Sequence, residues 1–461
     1  MEVTVVEMAR IRPSRPPFTE PHTLSLSNLD TDPNLNVTFR YLRVYANSSS
    51  SSTPYTSHNH PIFHVISDAL SSALVHYYPL AAALWPAEED GRLELRCCLD
   101  KLGLPLVNAA VSCTLEEVKH LDDPDPGFVD RLAPDLDPDE SLADPFALQV
   151  TAFACGGFVV GACVHHALCD GIGATQFFTA VADMARGVSR ATIDPVWDRT
   201  ELLSPRDIPR VGGVVGEFLR VERGVLHPYN NNNNLVGGGT EKEWFDVKES
   251  WVAQLKKELL EKSGSKFTTF EALGSFIWRA KVKASGIPDI SQVKFAYSVN
   301  IRKTLIPPLP AGYWGNGCVP MYAQALAKDV TQNPLWETAN LIKKSKANAN
   351  DEYVRAFIDF QGLHANPNDG LITAGDNVSG FTDWRHLGHA GVDFGWGGPV
   401  NVVPLSGRLL GSVEPCFFLP YSLVGDKKED GFKVMVVLKE GAVAGFRAEM
   451  EMFGRQIMSL I

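Results

Sequence analysis

The sequence predicts an α/β protein of two packed units, and three observations carry that reading. At 461 residues the chain exceeds what one compact core ordinarily holds. Segments with the two-residue period of strands and segments with the three-and-four-residue spacing of helices occur in both halves. Near the middle the composition changes: Pro195, Pro205 and Pro209 stand with Arg206, Asp207 and Arg210, and the run Asn230 to Asn234 leads into Gly237 to Gly239. Such a stretch suits a crossover between units and places the junction at about 195–240.

The elements follow in order. Ser48 to Ser52 is low-complexity sequence and reads as a surface loop. Phe63, Ile66, Leu70, Leu74 and Tyr77 describe one apolar helix face that ends before Pro79 and should pack on a sheet. Leu148, Val150 and Ala152 alternate with Gln149 and Thr151, Gly156 and Gly157 interrupt, and Phe158 to Val164 runs apolar, which predicts a hairpin. Its second strand delivers His165 and His166. Gly171-Ile172-Gly173 then opens a helix carrying Phe177, Phe178, Val181, Ala182 and Met184 and stopping at Gly187, so the histidines stand where a strand becomes a helix. Later, Phe270, Leu273, Ile277 and Trp278 predict a buried helix, Val434 to Leu438 a short strand, and Phe446, Met450, Phe453 and Ile457 a closing helix over about 442–458.

Composition narrows the function. Hydrophobic residues make up 45% and charged residues 21%, enough to bury a sizeable core. A net charge of -12 and a pI near 5.5 offer no concentrated basic face, which argues against nucleic acid as a partner. The eight cysteines form no CxxC pair and lie mostly in apolar stretches, as reduced, buried thiols do. The N-terminus lacks a basic-then-apolar signal pattern, and no apolar run reaches the roughly 18 residues of a membrane span, so a cytoplasmic location is expected. The sequons at Asn36 and Asn377 are then chance matches.

Two segments could carry chemistry. In HHALCDG, His166 and Asp170 stand four apart at a strand end, where side chains project into clefts. A neutral imidazole there can take a proton from an alcohol or amine at physiological pH. On spacing alone, a histidine satisfied by a neighbouring carboxylate is an equal reading. A metal site of His165, His166 and Asp170 is disfavoured, since adjacent strand residues face opposite ways and His165 should face the packed side. The second segment runs Asp393, Phe394, Gly395, Trp396, Gly397, Gly398, Pro399, and glycines flanking a tryptophan describe a tight turn, on residues alone a structural one. Neither GxxxxGK[ST] nor a GxGxxG between strand and helix is present, so kinase and dinucleotide-binding readings lack support.

Together, HxxxDG near one third of the chain and DFGWG near its last seventh resemble the paired signatures of the plant BAHD acyltransferases. LVHYYPLAAAL, FVVGACVHHALCDG, DMARG, FEALGSFIWRAK, SVNIRK, GYWGN and FTDWRHLGHAGVDFGWG extend the resemblance, in order, along nearly the whole length. It implies two similarly sized α/β domains with mixed sheets, of the chloramphenicol acetyltransferase-like type. A channel runs between them, which acyl-CoA and a small amine or alcohol enter from opposite mouths. The implied domains are residues 1–200, joined by about 393–416, and 241–461, with 201–240 as the crossover. No permanently bound cofactor and no metal are implied, and one copy suffices.

The family's roles map onto His166 as general base, Asp170 as a brace toward Arg302, and Thr382 with Trp384 of the TxW segment as the pair steadying the oxyanion at the channel. DFGWG implies a structural part for Asp393, Gly395 and Trp396, with Asp393 as a second proton acceptor in the alternative. Tyr313 and Asn316 of GYWGN are implied at the acyl or coenzyme side of the channel. The sequence departs from the family at Asp383, where a small residue is usual, and at Gly398, where a basic one is common. Lys266 is a candidate for the anionic tail of the coenzyme, an ordinary solvated lysine being an equal reading. As a whole, the chain is similar to the piperamide synthases, which implies amide formation between an aromatic acyl group and a piperidine-like amine. An ester of a plant alcohol is the alternative product. Further readings are a thioester or ester hydrolase built on the same base, and a non-catalytic relative that only binds a small ligand.

Overall fold

The computed structural model describes residues 1–32, 35–47, 61–190, 192–211, 239–363, 377–407, 409, 414–420 and 431–458. The loop expected at Ser48 to Ser52 and most of the expected crossover, with its asparagine run, lie outside the described residues. The first half carries β1 (Thr4–Ile11), β2 (His22–Ser25), β3 (Thr38–Tyr45), β4 (Ala83–Pro86), β5 (Leu93–Cys97), β6 (Leu104–Ala110), β7 (Phe146–Ala152) and β8 (Phe158–His165). The second half carries β9 (Thr240–Val247), β10 (Gln292–Asn300), β11 (Cys318–Leu326), β12 (Val378–Asp383), β13 (Asn401–Pro404), β14 (Cys416–Leu419) and β15 (Phe432–Lys439). They form two six-stranded mixed sheets, ordered β1-β6-β7-β8-β3-β13 and β11-β10-β12-β14-β15-β9, and a small sheet β2-β5-β4. The first sheet takes its last strand from the second half: β13 pairs antiparallel with β3, Asn401 opposite Val44 and Pro404 opposite Tyr41.

The hairpin β7–β8 turns from Ala152 to Phe158, with Gly156 at φ 81, where a missing Cβ removes the steric penalty. Both strands are buried along their whole length, because the sheet is covered on both faces. Leu148, Val150, Val160, Ala162 and Val164 enter the main core, while Val159 enters a smaller core with Leu42, Val44 and Leu132. Gln149 and Thr151, expected to face away from the main core, are buried too and bond one another at 2.9 Å.

The helix expected up to Tyr77 is shorter, Pro61–Ala73. Hydrogen-bonded turns carry the chain on to Tyr77, and a 3₁₀ turn over Tyr78–Ala81 holds Pro79, which disfavours helix at the residue before it. The helix Gly171–Ala185 follows β8 across a five-residue turn. Over the second sheet pack Thr269–Ala284, opened by a capping box of Thr268 and Glu271, and Glu440–Met458, which buries Phe446, Met450 and Phe453; the side chain of Ile457 lies outside the described ones. All eight cysteines are free. Among the described residues, no helix is long and apolar enough to cross a membrane.

Candidate active site

A cavity of about 550 Å³ draws its wall from both sheets. Phe39 and Tyr41 of β3, and His166 just past β8, line it with Phe381, Thr382 and Asp383 of β12 and with Trp384. Phe39, Trp384 and Phe417 form an aromatic cluster with centroids 5.4 to 6.1 Å apart, which closes the seam between the sheets beside the histidine.

His166 is held by its backbone. Its amide donates to the Val37 carbonyl at 2.8 Å, its carbonyl accepts from Asn316 Nδ2 at 2.9 Å, and its ring meets Phe39 edge-on at 6.2 Å. Nδ1 is sealed from solvent without a hydrogen-bond partner, which leaves Nε2 as the ring nitrogen open to the cavity. Burial lowers the pKa of the imidazole below its ordinary value, outweighing its own carbonyl, Asp170, Asn316 and Asp30, which favour the protonated form. The ring is therefore neutral at pH 7 and can accept a proton.

His165 points the other way and is fully buried. Its Nδ1 accepts from the Ala167 amide at 3.3 Å and Nε2 lies 3.2 Å from Asn36 Oδ1; burial, with His166 beside it, lowers its pKa to about 3.

Asp170 caps the helix Gly171–Ala185 by accepting from the Gly173 amide at 3.0 Å. Its carboxylate also takes both guanidinium nitrogens of Arg302, at 2.7 and 3.0 Å, the Gly317 amide at 3.0 Å and the Cys318 thiol at 3.3 Å. Burial alone would raise this carboxyl; Arg302 and the two amides more than offset it and hold it below the usual range. With every lone pair engaged away from His166, Asp170 braces the loop.

A second buried network reaches the same loop. Asp30 Oδ1 accepts from the amide and side chain of Asn316 at 2.8 and 2.9 Å, its Oδ2 accepts from the Ser27 hydroxyl at 2.6 Å, and Arg199 lies 3.3 Å away with both partners buried. Neither Asp30 nor Arg199 was singled out from sequence. Ser27-Asn28-Leu29-Asp30 carries a local turn signal, since serine and aspartate three apart bond one another's backbone, but Arg199 carries none.

Residues 1–453 match the model of the Transferase family. The chain belongs to the BAHD acyltransferases. It is 32% identical over 434 residues to spermidine sinapoyl-CoA acyltransferase of Arabidopsis thaliana, covering 93% of each chain. It is 34% identical to 3'-N-debenzoyl-2'-deoxytaxol N-benzoyltransferase of Taxus canadensis, over 81% of this chain and 80% of that one. The fold is that of vinorine synthase, with a TM-score of 0.70, 18% identity and 96% of each chain covered. This protein is therefore a CoA-dependent acyltransferase, which moves an acyl group to an amine or alcohol.

In this acyltransferase, Thr382 lines the cavity, and its hydroxyl makes no hydrogen bond to a described residue. Asp383 also lines the cavity, yet its charge is matched two residues on. Arg385 grips both its oxygens at 2.9 and 2.6 Å and stacks on Phe432 at 4.2 Å, an arrangement the sequence reading missed.

The DFGWG segment does not line the cavity. Asp393 Oδ1 accepts from the amides of Gly395 and Gly397, both at 2.8 Å, and these glycines hold φ of 105 and 92. The Asp393 carbonyl takes Arg186, and Trp396 packs edge-on against Phe158 at 6.0 Å. The Asp393 carboxylate is absent from the cavity wall and is committed to these backbone amides. At Gly398, a Cβ would lie 2.5 Å from the Ala390 carbonyl, so the backbone here leaves no room for the basic side chain common in relatives.

Tyr313, implied at the channel with Asn316, does not reach the cavity wall. It is buried beneath Arg302, its hydroxyl bonds the Asn316 carbonyl at 3.3 Å, and it is absent from the cavity wall, whereas Asn316 and Trp384 are present. Lys266 is exposed and also absent from that wall. The lysine that does line the cavity is Lys346, on the helix Leu335–Ala347, where sequence offered nothing to distinguish it from its neighbours Lys343 and Lys344.

Proposed function

We propose that this acyltransferase joins an aromatic acyl group, carried as a CoA thioester, to a small piperidine-like amine, and that His166 is the general base. The observation that carries the chemistry is a neutral imidazole, Nε2 toward the cavity, in one wall of a chamber whose other wall presents the Thr382 hydroxyl. As the amine nitrogen attacks the thioester carbonyl, Nε2 takes its proton and the Thr382 hydroxyl donates to the oxyanion. The carbon–sulfur bond then breaks, and the proton passes to the departing thiolate. The aromatic lining of Phe39, Phe270, Phe381 and Trp384 suits a flat acyl group. The relatives named above are, by their names, a sinapoyl transferase for spermidine and an N-benzoyltransferase, which supports aromatic donors and amine acceptors.

The test is a matrix of cinnamoyl-, benzoyl- and acetyl-CoA against piperidine-type amines, polyamines and aromatic or terpenoid alcohols, with products read by mass spectrometry. Amides of piperidine-type amines from aromatic donors are expected. Esters alone would replace the amine with an alcohol as acceptor, and rapid CoA release without any acceptor would indicate a hydrolase.

A further inference from the structure

Arg43 has no exposed surface and no carboxylate partner among the described residues. Its guanidinium lies 4.1 Å from the centre of the Phe178 ring and 4.9 Å from that of Tyr41. It donates from Nη1 to Tyr41 Oη and from Nη2 to His389 Nδ1, both at 3.3 Å, while Nε has no partner. Proteins do not deprotonate arginine, and an ion buried without a counter-ion costs far more than two bonds to neutral groups return. The fold elsewhere gives buried arginines an acid, as with Arg199 and Asp30 or Arg302 and Asp170. Arg43 therefore stands out as a charge the fold itself does not need.

Its two partners line the cavity. Because arginine only donates, Tyr41 Oη is an acceptor toward Arg43 and must send its own proton elsewhere. For the same reason His389 carries its proton on Nε2, which is buried and unpartnered. Burial, reinforced by Arg43, keeps this imidazole neutral. Phe39, Tyr41 and Arg43 project from the same face of β3, so the donors stand roughly 7 Å beyond the Phe39 position, which abuts His166. Trp384 packs against both rings, 5.8 Å from Tyr41 and 5.5 Å from His389, and lines the cavity with them. A flat acyl group with its carbonyl at His166 would bring the far edge of its ring toward Tyr41.

We propose that Arg43, acting through Tyr41 and His389, makes this corner of the cavity a donor subsite for an oxygen substituent on the ring of the acyl group. The proposal rests on the aromatic-acyl reading above and adds which aromatic groups are selected: those with an ether or carbonyl oxygen that only accepts. Tyr41 supplies the contact, and Arg43 is a positioning residue.

The test compares 4-methoxycinnamoyl-CoA with 4-ethylcinnamoyl-CoA, donors of near-equal shape that differ by one ether oxygen, on the same amine. The wild type should prefer the methoxy donor by about tenfold in kcat/KM, the worth of one hydrogen bond. In Tyr41→Phe and in Arg43→Met, the preference should fall to within about twofold. Arg43→Met should melt no lower than the wild type, since an apolar chain replaces an unneutralised buried cation; if it fails to fold, Tyr41→Phe decides alone. An oxygen preference absent from the wild type, or undiminished in Tyr41→Phe, overturns the proposal. So does a change in discrimination among acceptors that leaves the donor ratio untouched. If neither donor is used at all, the aromatic-acyl reading itself fails, whereas turnover of both without preference defeats only the subsite.

Discussion

Arg302 grips Asp170 through two hydrogen bonds of 2.7 and 3.0 Å, joining the loop after β8 of one sheet to the loop after β10 of the other. The pair sits directly under the base. In the proposed mechanism His166 carries the proton chemistry, while the charge four residues on holds the turn that aims it.

Replacing Asp170 with asparagine leaves Arg302 buried beside a neutral amide, and breaking such a pair costs ~3 to 5 kcal/mol. Asp170→Asn should therefore lose stability in urea or thermal melts, with activity lost in step with folding. The sign with pH follows from the depressed carboxyl. The stabilisation is complete above the unfolded value of about 3.9 and disappears as pH falls through the lower folded value.

His166 works as a base only when unprotonated, and burial holds its pKa below the ordinary value. The acid limb of kcat/KM for acyl-CoA, measured at saturating acceptor so that ionisation of the free amine does not enter, should therefore lie below about pH 6.5, with full activity by pH 7. His166→Ala should fold normally and lose ~10²- to 10⁴-fold in kcat. An acid limb above 7, or a folded alanine variant of wild-type rate, would exclude this residue as the base.

Asn316 connects Asp30 to the His166 carbonyl. Asn316→Ala should release that carbonyl and misplace the ring, lowering kcat by about 10- to 100-fold. The KM for acyl-CoA should change less than kcat, since the loss falls on the placement of the base. Steady-state kinetics on the folded variant separate the two parameters.

Asp393→Ala removes the acceptor of two turn amides outside the cavity. The expected cost is ~1 to 3 kcal/mol in a thermal or urea melt, with kcat per folded molecule retained. A stable variant without activity would return Asp393 to the chemistry.

Much was legible from local pattern alone, because it depends on neighbours in sequence. The hairpin, the helix after Gly171 and the closing helix follow from periodicity and glycine placement. His166 and Asp170 follow from a motif whose members lie within five residues. Three-dimensional contact decided the rest. Asp30, Arg199, Asn316 and His166 converge from distant segments, and only the packed seam makes Asp30 a buried anion within reach of the base's backbone. The solvation of a side chain also depends on what lies across the gap. Lys346 reaches the cavity wall and Lys266 does not, although both are lysines in unremarkable sequence. The sequence alone placed a histidine and an aspartate four apart at the end of a strand, before a helix. The tertiary structure decided that Asp170 meets Arg302 and that Arg43 is buried without an anion among the described residues, because each outcome depends on partners brought together from remote parts of the chain.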